Sequence, residues 1–447
     1  MDENYDVIIL GTGIAESILS CLFSCDGKKI LVLDQNSYYG SESPSVDLKL
    51  LHNMFYAGST PRDKLPPSKE WCIDLIPKLI LINKKFFKIL QSLNRLNDFQ
   101  IYKSVNHHYI SQRNPQPSKK SEISPNQGFY LQKIPNTIET LGEYIVNQEE
   151  NEKFKNFFYY IQNYKTSKQE ALKIDPERST FIDILKIFGL SESGIYNIIC
   201  VFSLDKEQCE TVIGDWALIK LQQQLNSPYL MPSFRLYPNY GLGNIIESCT
   251  RINAIFGSTT ILSAEVDKVI FNDENKVIGV RTYHGIAQAP IVICNRSYAP
   301  KGKKGRLVKR IVRSICIIED RDSGNYNDSG YIYIKGNHIN RENSIQIIYL
   351  GASHCVSPEG YIVACCSTVV ETDSPEKELQ VAHDLLGNIV NQYVKLYEIY
   401  ENDLTLSDSN LYVVNDFDEI PDLENTAEEI QKIYEIISKK SLFVDNI

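Results

Sequence analysis

The stretch YDVIILGTGIAES, residues 5 to 17, decides the fold of this chain. A short run of β-branched residues leads into a glycine turn and then into ILSCLFS, residues 18 to 24, which favours a helix. A second strand, KKILVLD, ends at Asp34, about 20 residues beyond Gly11, where a dinucleotide-binding unit carries the carboxylate that holds a ribose. This order of strand, turn, helix, strand and acid predicts a βαβ unit of the dinucleotide-binding type.

The third glycine of the G-x-G-x-x-G pattern is missing, because Glu16 follows Gly11 and Gly13 at that position. With Gly13 as the N-cap, Glu16 falls in the first helical turn, where a pyrophosphate would bind the helix N-terminus. Two negative charges about 4 Å apart repel by roughly 4 kcal/mol at an effective dielectric constant of about 20. We therefore interpret Gly11, Gly13, Glu16 and Asp34 as a vestigial motif and expect no bound flavin or other cofactor.

Length and composition restrict the class of protein. The 447 residues exceed the size at which one core usually stops growing, which favours two domains. A net charge of -10 argues against a nucleic-acid partner. Eleven cysteines without C-x-x-C spacing favour reduced thiols and a cytoplasmic protein. We recognise no leader, lipidation motif or apolar run of about 18 residues, and expect no membrane anchor.

The pattern of elements changes along the chain. Residues 1–130 and 227–447 show strands and glycine-bearing turns, whereas residues 131–226 show helical segments without a convincing strand. This predicts an α/β fold of the flavoprotein type, in which a discontinuous FAD/NAD(P)-binding, Rossmann-like domain with mixed β-sheets carries an inserted all-helical domain. We predict successive strands at TTIL, EVDKVIF, KVIGVRTY and PIVICN, and one helix over PEKELQVAHDLLGNIVNQYVKLYEIY, residues 375 to 400.

Two further segments are candidates for a binding surface. The loop from 35 to 45 leaves the second strand and carries Tyr39, which either anchors a partner or covers the sheet edge. RLYPNYGLGNIIESCTRINAIFG, residues 235 to 257, predicts a glycine-bearing turn into an amphipathic helix. Its expected core face is Ile245, Cys249, Ile252 and Phe256, and its polar stripe is Asn244, Glu247, Ser248 and Arg251. We predict a Glu247–Arg251 ion pair worth a few tenths of a kcal/mol.

No catalytic constellation is recognised. The seven histidines are dispersed, no group has metal-ligand spacing, and there is no G-x-S-x-G or Walker sequence. We predict neither a catalytic residue nor a metal site.

Taken in order, these motifs resemble those of the Rab GDP-dissociation inhibitor family. The matching blocks span most of the chain: MDENYDVIILGTGIAESILS, DGKKILVLDQNSYYG, IDLIPKLI, IDPERSTFIDILKIFGL, LYPNYGLG, NRSYAP and VVETDSPEKE. The resemblance implies a non-catalytic, monomeric protein that binds prenylated Rab GTPases in the GDP state, slows GDP release, extracts Rabs from membranes and recycles them through the cytosol. It also implies that the larger domain holds the GTPase, that the helical domain shelters the geranylgeranyl lipid, and that membrane contact is transient.

The resemblance further implies a Rab-binding face. Tyr39, Arg251 and Thr259 match the face in the family, whereas Asn244 stands where the family has glutamate and Ile261 where it has methionine. Glu247 is expected to replace the lost carboxylate. Two alternatives are a Rab escort protein that presents Rabs to geranylgeranyltransferase and a FAD-dependent oxidoreductase of the amine-oxidase type. The modest length argues against the escort protein, and Glu16 argues against the oxidoreductase.

Overall fold

The computed structural model describes residues 4–59, 65–82, 84–93, 102–105, 107–113, 129–133, 148–165, 175–192, 194–195, 198, 213–225, 235–283, 285–300, 305–319, 329–401 and 409–443. Helices in this part are α1 Ile14–Cys25, α2 Leu48–Phe55, α3 Lys85–Leu93, α4 Gln148–Gln162, α5 Phe181–Ile187, α6 Gly214–Leu225, α7 Gly243–Ile255, α8 Gln380–Leu386 and α9 Glu424–Ser438. None of these helices is long and apolar enough to cross a membrane.

The strands form several sheets. They are β1 Val7–Leu10, β2 Ile30–Leu33, β3 Ser45–Val46, β4 Ile73–Asp74, β5 Ile80–Leu81, β6 Tyr102–Ser104, β7 His107–Arg113, β8 Phe129–Lys133, β9 Arg235–Pro238, β10 Thr259–Ile261, β11 Val266–Phe271, β12 Val277–Thr282, β13 Gly285–Gln288, β14 Val292–Asn295, β15 Arg306–Glu319, β16 Ser329–Ile334, β17 Ile345–Leu350, β18 Tyr361–Val369, β19 Ile389–Glu401 and β20 Leu411–Val414.

A parallel sheet is built on the predicted βαβ unit. Its strand order is β10-β2-β1-β14-β20, and every neighbouring pair is parallel. Leu10 lies opposite Leu33, so the residues that follow β1 and β2 meet at one edge of the sheet. Helix α1 lies against this sheet and contacts α7 and α9. The predicted α/β class with a Rossmann-like sheet is confirmed.

The second large sheet is mixed, with the order β19-β15-β18-β17-β16-β7-β8. All its pairs are antiparallel except β16 with β7. Side chains alternate along β15: Ile315 and Ile317 join the main core, whereas Cys316 and Ile318 join a separate apolar cluster with α8. The sheet is therefore covered on both faces along residues 311–318 of β15.

The prediction of a single helix from 375 to 400 is wrong. The segment forms a 3-10 turn at Pro375–Leu379, then α8, and then β19, which pairs with β15 over most of its length. Gly387 ends α8 with a φ of 73°, a conformation that glycine adopts without strain. The long pairing with β15 decides the conformation of the second half, because strand formation depends on a partner more than on intrinsic propensity.

The described helices α4, α5 and α6 form a third apolar cluster. It combines aliphatic and aromatic side chains, with Phe157 packed against Phe158 and Phe188. Thr180 begins α5 as the N-cap, and its exchange of hydrogen bonds with Asp183 forms a capping box. Tyr333 of β16 packs against this cluster and so connects it to the seven-stranded sheet. That sheet extends to Lys133 through β8, slightly beyond the predicted boundary at residue 130.

Glu378 fixes the turn that leads into α8. Its carboxylate accepts hydrogen bonds from Arg341 Nη2 at 2.7 Å, from Thr372 N at 2.7 Å and Oγ1 at 2.8 Å, and from Glu371 N at 3.1 Å. Burial opposes ionisation, yet the bonds from Thr372 and Arg341 hold the pKa of Glu378 below its ordinary value. The ionised carboxylate is therefore part of the folded structure.

Replacing Glu378 by alanine should lower the free energy of unfolding by about 2 to 4 kcal/mol at neutral pH, because Arg341 and two backbone N–H groups lose an acceptor. Because the pKa of Glu378 is lower in the folded state, its ionised carboxylate stabilises the protein at pH values above the unfolded-state pKa. The difference in stability between variant and parent should therefore shrink as the pH falls below about 4.3. Urea denaturation of variant and parent, at neutral pH and below about pH 4.3, measures this difference in the free energy of unfolding. Glu376→Ala, which removes an exposed carboxylate of the same turn, is the control. Equal losses in the two variants would contradict this account.

Candidate functional site

A cavity of about 700 Å³ opens at the edge of the parallel sheet where β1 and β2 end. One side is formed by residues 13–16 at the start of α1 and by the loop after β2. The opposite side is formed by residues 395–399 of β19 and by residues 414–417. Because dinucleotides bind at this edge in flavoprotein-type folds, the cavity is where such a cofactor must be tested against the residues present.

The carboxylate oxygens of Asp34 already accept hydrogen bonds from other groups of the chain. Its carboxylate is fully buried. The donors are Thr12 N at 2.9 Å, Thr12 Oγ1 at 2.7 Å, Ser41 Oγ at 2.8 Å, Asn36 N at 2.9 Å, Asn36 Nδ2 at 3.0 Å and Tyr298 OH at 3.5 Å. Two carboxylate oxygens offer about four lone-pair sites. Asp34 therefore lies at the predicted position but has no capacity left for a ribose hydroxyl.

Glu16 is buried at the start of α1, where Gly13 is the N-cap as predicted. Its side chain folds back over Gly13, so that a Cβ atom on Gly13 would lie 2.5 Å from Glu16 Oε2. Burial raises the pKa of Glu16 to about 8, and the charges of Glu429, Asp34 and Glu42 add to this effect. The carboxyl group therefore occupies the space in which a pyrophosphate would meet the helix N-terminus.

The raised pKa corrects the electrostatic argument made from the sequence. At neutral pH most molecules carry a protonated Glu16, so charge repulsion by Glu16 is not the main obstacle to a phosphate. The main obstacles are the Glu16 side chain, which occupies the space, and the oxygen atoms of Asp34, which already accept hydrogen bonds from the chain. The residues present do not fit a bound flavin.

Asp74 organises the turn before α7, a role that the sequence analysis missed. Its buried carboxylate accepts hydrogen bonds from the hydroxyl groups of Tyr237 and Ser45 and, at 2.9 Å, from Leu242 N. Burial raises the pKa of Asp74 to about 6, against the effect of these bonds. Gly241 has a φ of 77°, and a Cβ there would approach Asp74 Oδ1 to 2.7 Å. The glycine in YGLG was the signal that a close approach occurs here.

The polar stripe of α7 is held by a chain of hydrogen bonds. Arg251 Nη2 donates to Ser248 Oγ at 3.2 Å, Ser248 Oγ donates to Asn244 Oδ1 at 3.4 Å, and Asn244 Nδ2 donates to Asn239 O at 3.2 Å. The predicted Glu247–Arg251 ion pair is wrong: both residues are exposed, and the partner of the guanidinium is Ser248, which is buried. Neutral groups thus position Arg251.

The core face of α7 is as predicted except at one residue. Ile245, Cys249 and Ile252 are buried, whereas Phe256 is 45% exposed. Phe256 follows the last residue of α7 and is its C-cap, so helical spacing no longer determines its direction.

The other candidate residues lie in the loop after β2 and at the two ends of β10. Tyr39 is half-buried against the main core, in the loop between Asp34 and Gly40. Ile261 is at the end of β10, where its carbonyl oxygen accepts from Asp34 N at 3.0 Å. Thr259 is exposed at the other end of the same strand. The structure therefore brings Ile261 close to the loop that carries Tyr39 and places Thr259 further away.

Ser45 connects this loop region to α7. Its hydroxyl oxygen accepts from Gly243 N at 2.7 Å and donates to Asp74. The start of α7, with Asn244 on its surface, is thereby fixed to the chain segment that follows Tyr39.

Fold and site together define a class of protein: a flavoprotein-type architecture in which the chain's own side chains take the places of the cofactor's contacts. The family model described as GDP dissociation inhibitor matches residues 1–447. This chain belongs to the GDP dissociation inhibitor family, as its resemblance predicted.

Individual relatives agree with this assignment. The chain is 32% identical to a probable secretory pathway GDP dissociation inhibitor 1 of Schizosaccharomyces pombe, over 97% of this chain and 96% of that protein. It is 30% identical to Rab GDP dissociation inhibitor beta of Rattus norvegicus, over 97% of this chain and 95% of the relative. Among solved structures, a Rab GDI of Plasmodium falciparum superposes with a TM-score of 0.86 and 30% identity, covering 99% of this chain and all of the other.

An oxidoreductase of Methanosarcina mazei superposes with a TM-score of 0.53 at 13% identity, covering 96% of this chain and all of that one. At this identity the likeness concerns the fold alone. It agrees with the flavoprotein-type architecture described above.

Replacing Glu16 by glutamine should change how stability depends on pH. The pKa of Glu16 rises from 4.5 to about 8 on folding, so the folded state keeps a proton that the unfolded chain releases between these values. Stability of the parent should therefore fall as the pH rises through this window, by up to about 1.4 kcal/mol per pH unit from this group. Glu16→Gln keeps the shape and removes the titration. Urea denaturation from about pH 5 to about pH 9 should show the variant gaining on the parent; parallel curves would disprove the buried, protonated state.

Proposed function

We propose that this chain is a Rab GDP-dissociation inhibitor. In this role it binds GDP-bound, prenylated Rab GTPases, slows GDP release, extracts them from membranes and returns them through the cytosol. The observation that carries the proposal is the full-length match to the family. Relatives whose names specify Rab and the secretory pathway, at similar length, support it.

The proposed Rab-binding face consists of Tyr39, Asn244, Glu247, Arg251, Thr259 and Ile261. Arg251 is its best-defined member, because a guanidinium group on an exposed helix stripe offers several planar donors to a partner's carboxylates or carbonyl oxygens. Its bond to Ser248 uses only Nη2. With no ion pair to Glu247, the positive charge stays available to the GTPase.

Asn244 differs in its role from the glutamate that the family has at this position. Its amide oxygen accepts from Ser248 and its amide nitrogen donates to Asn239 O, so it supports the hydrogen-bond chain that positions Arg251. Glu247 lies exposed on the same helix and supplies the negative charge of the face. We infer that this face presents both charges separately.

The apolar helices α4, α5 and α6 are the proposed site of the geranylgeranyl chain. Their shared cluster is rich in aromatic side chains, and hydrophobic residues at its margin are exposed, including Tyr159, Ile187 and Ile213. Burial of a lipid chain contributes about 0.8 kcal/mol per CH₂ group, which makes the lipid the main source of energy for extraction. Rab binding by the larger domain then supplies specificity.

The proposed protein is a regulator without catalysis of its own. Glu16 lines the cavity where a flavoprotein would hold its cofactor, and Asp34 is buried beside it with its acceptors used by the chain itself, which supports this part of the proposal. We further propose that the protein resides in the cytosol, contacts membranes transiently and is monomeric.

Mixing the purified protein with prenylated, GDP-loaded Rab on liposomes should transfer Rab from the pelleted liposomes to the supernatant. Rab that lacks the prenyl group should bind at least about 100-fold more weakly, because the lipid contribution is lost. Sedimentation followed by blotting for Rab measures extraction, and titration measures affinity. GTP-loaded Rab is the control for nucleotide state. Rab that remains on the liposomes would refute the proposed function, and equal binding with and without the lipid would refute the lipid site.

Tyr39→Ala and Arg251→Ala should each weaken binding of prenylated Rab-GDP by about 2 to 4 kcal/mol, or roughly thirty- to a thousandfold, as for interface anchors. Ser248→Ala should weaken it less, since Arg251 keeps its charge but loses its orienting partner. Matched controls are Tyr283→Ala and Arg281→Ala, which remove an exposed arginine of β12 and the exposed tyrosine that follows this strand. Titration gives the affinities and thermal melting verifies folding. Parent-like binding by either face variant would exclude that residue from the face.

A further inference from the structure

Three side chains that can ligate a metal meet beneath α8, although the sequence analysis predicted no metal site. They are Cys316 of β15, Cys366 of β18 and His383 of α8, and all three are buried. One ligand atom from each lies within 4.8 Å of the other two. These residues come from three separate elements and show no local spacing in the sequence, so no motif predicts the group.

Strand register explains why the side chains converge. Ser314 lies directly opposite Cys366, and Cys316 lies opposite Ala364 in the same antiparallel pair. Residues two apart along a strand point to the same face. Ser314, Cys316 and Cys366 therefore face α8 together, and Gln392 of β19, opposite Cys316, faces it too.

The two cysteines are placed for a shared metal better than for a disulfide. They are diagonal neighbours rather than directly opposed, and diagonal pairs on adjacent strands are separated by about 7 to 8 Å between Cα atoms. Disulfides need Cβ atoms only about 3.5 to 4.5 Å apart. A bound tetrahedral zinc, with Zn–S of about 2.3 Å, needs sulfur atoms about 3.8 Å apart and a nitrogen at a similar distance. Small side-chain rotations bring the three groups to that separation.

The donor set selects the class of metal. Two thiolates and one imidazole are a soft ligand set, typical of zinc rather than of magnesium or calcium. Two thiolates also neutralise a divalent cation, so the site can be buried without net charge. The surrounding apolar cluster includes Ile318, Ala364 and Leu385.

Two polar neighbours complete the surroundings. Ser314 Oγ is 2.8 Å from His383 Nε2 and 3.7 Å from Cys316 Sγ, so its hydroxyl lies within reach of a fourth coordination position. Gln392 Nε2 lies 3.2 Å from His383 Nε2. His383 Nε2 and Cys316 Sγ thus both lie next to the hydroxyl group of Ser314.

We propose that Cys316, Cys366 and His383 bind a zinc ion that fastens α8 to the seven-stranded sheet. The ion links helix α8 to two paired strands and adds to the apolar packing and the Ser314–His383 hydrogen bond that already join them there. Its role is structural, and it is independent of the proposed Rab face.

The test uses the full chain under reducing conditions. Protein stripped with a chelator, incubated with zinc chloride and passed through gel filtration should retain about one equivalent of zinc by mass spectrometry of the metal. Cys316→Ala, Cys366→Ala and His383→Gln should each lose most of it. Cys294→Ala, which removes a buried cysteine from β14, should retain the parent's content.

Cobalt(II) gives a readout that needs no variant. The parent loaded with cobalt should show a thiolate-to-cobalt charge-transfer band and the intense visible bands of tetrahedral geometry. Zinc should also raise the melting temperature of the parent and leave the three ligand variants unchanged. Zinc content below about a tenth of an equivalent in the parent, a cobalt spectrum without the thiolate band, or parent-like zinc content in the ligand variants would each overturn the proposal.

Discussion

The arrangement at the edge of the parallel sheet depends on the hydrogen bonds that the buried carboxylate of Asp34 accepts. It accepts hydrogen bonds from the turn after β1, through Thr12, and from its own loop, through Asn36 and Ser41. A buried carboxyl group is costly unless its acceptors are satisfied, so separating these segments would leave buried oxygen atoms of Asp34 without hydrogen-bond donors. In a cofactor-binding protein of this fold the same acid would hold a ribose. Here it joins parts of the chain, and the loop that carries Tyr39 is fixed as a result.

Asp74 plays a similar part for α7. It binds the hydroxyl groups of Tyr237 and Ser45 and the backbone of Leu242, and Ser45 in turn accepts from Gly243. Two buried carboxylates therefore position two of the three segments of the proposed Rab face, the loop that carries Tyr39 and helix α7. This gives a physical account of how a flavoprotein-type fold can present a rigid protein-binding surface without cofactor contacts: internal acceptors hold the loops that those contacts would otherwise order.

The two faces of the seven-stranded sheet have different surroundings. Its face toward the main core contributes β19 residues to the wall of the cavity, and its other face carries α8 and the proposed zinc ligands. Glu378 fixes the turn before α8 through Arg341 and Thr372. A charged hydrogen-bond network before the start of α8 and a metal at His383 would together hold a helix of only seven residues, which is too short to be stable alone.

The sequence by itself determined the βαβ unit, the position of Glu16 in the first turn of α1, the helix that begins at Gly243, and the family. Each of these depends on turns, on helical spacing or on ordered motifs within a few residues. Tertiary structure alone decided the rest. Residues 389–401 became a strand because β15 offers a partner, Glu16 became protonated because burial removes its water, and Arg251 bonded to Ser248 instead of Glu247. Cys316, Cys366 and His383 met only through the register of β15 with β18 and the docking of α8. Local pattern fixes which backbone groups bond to near neighbours; burial, charge state and contacts between distant residues depend on how the elements pack.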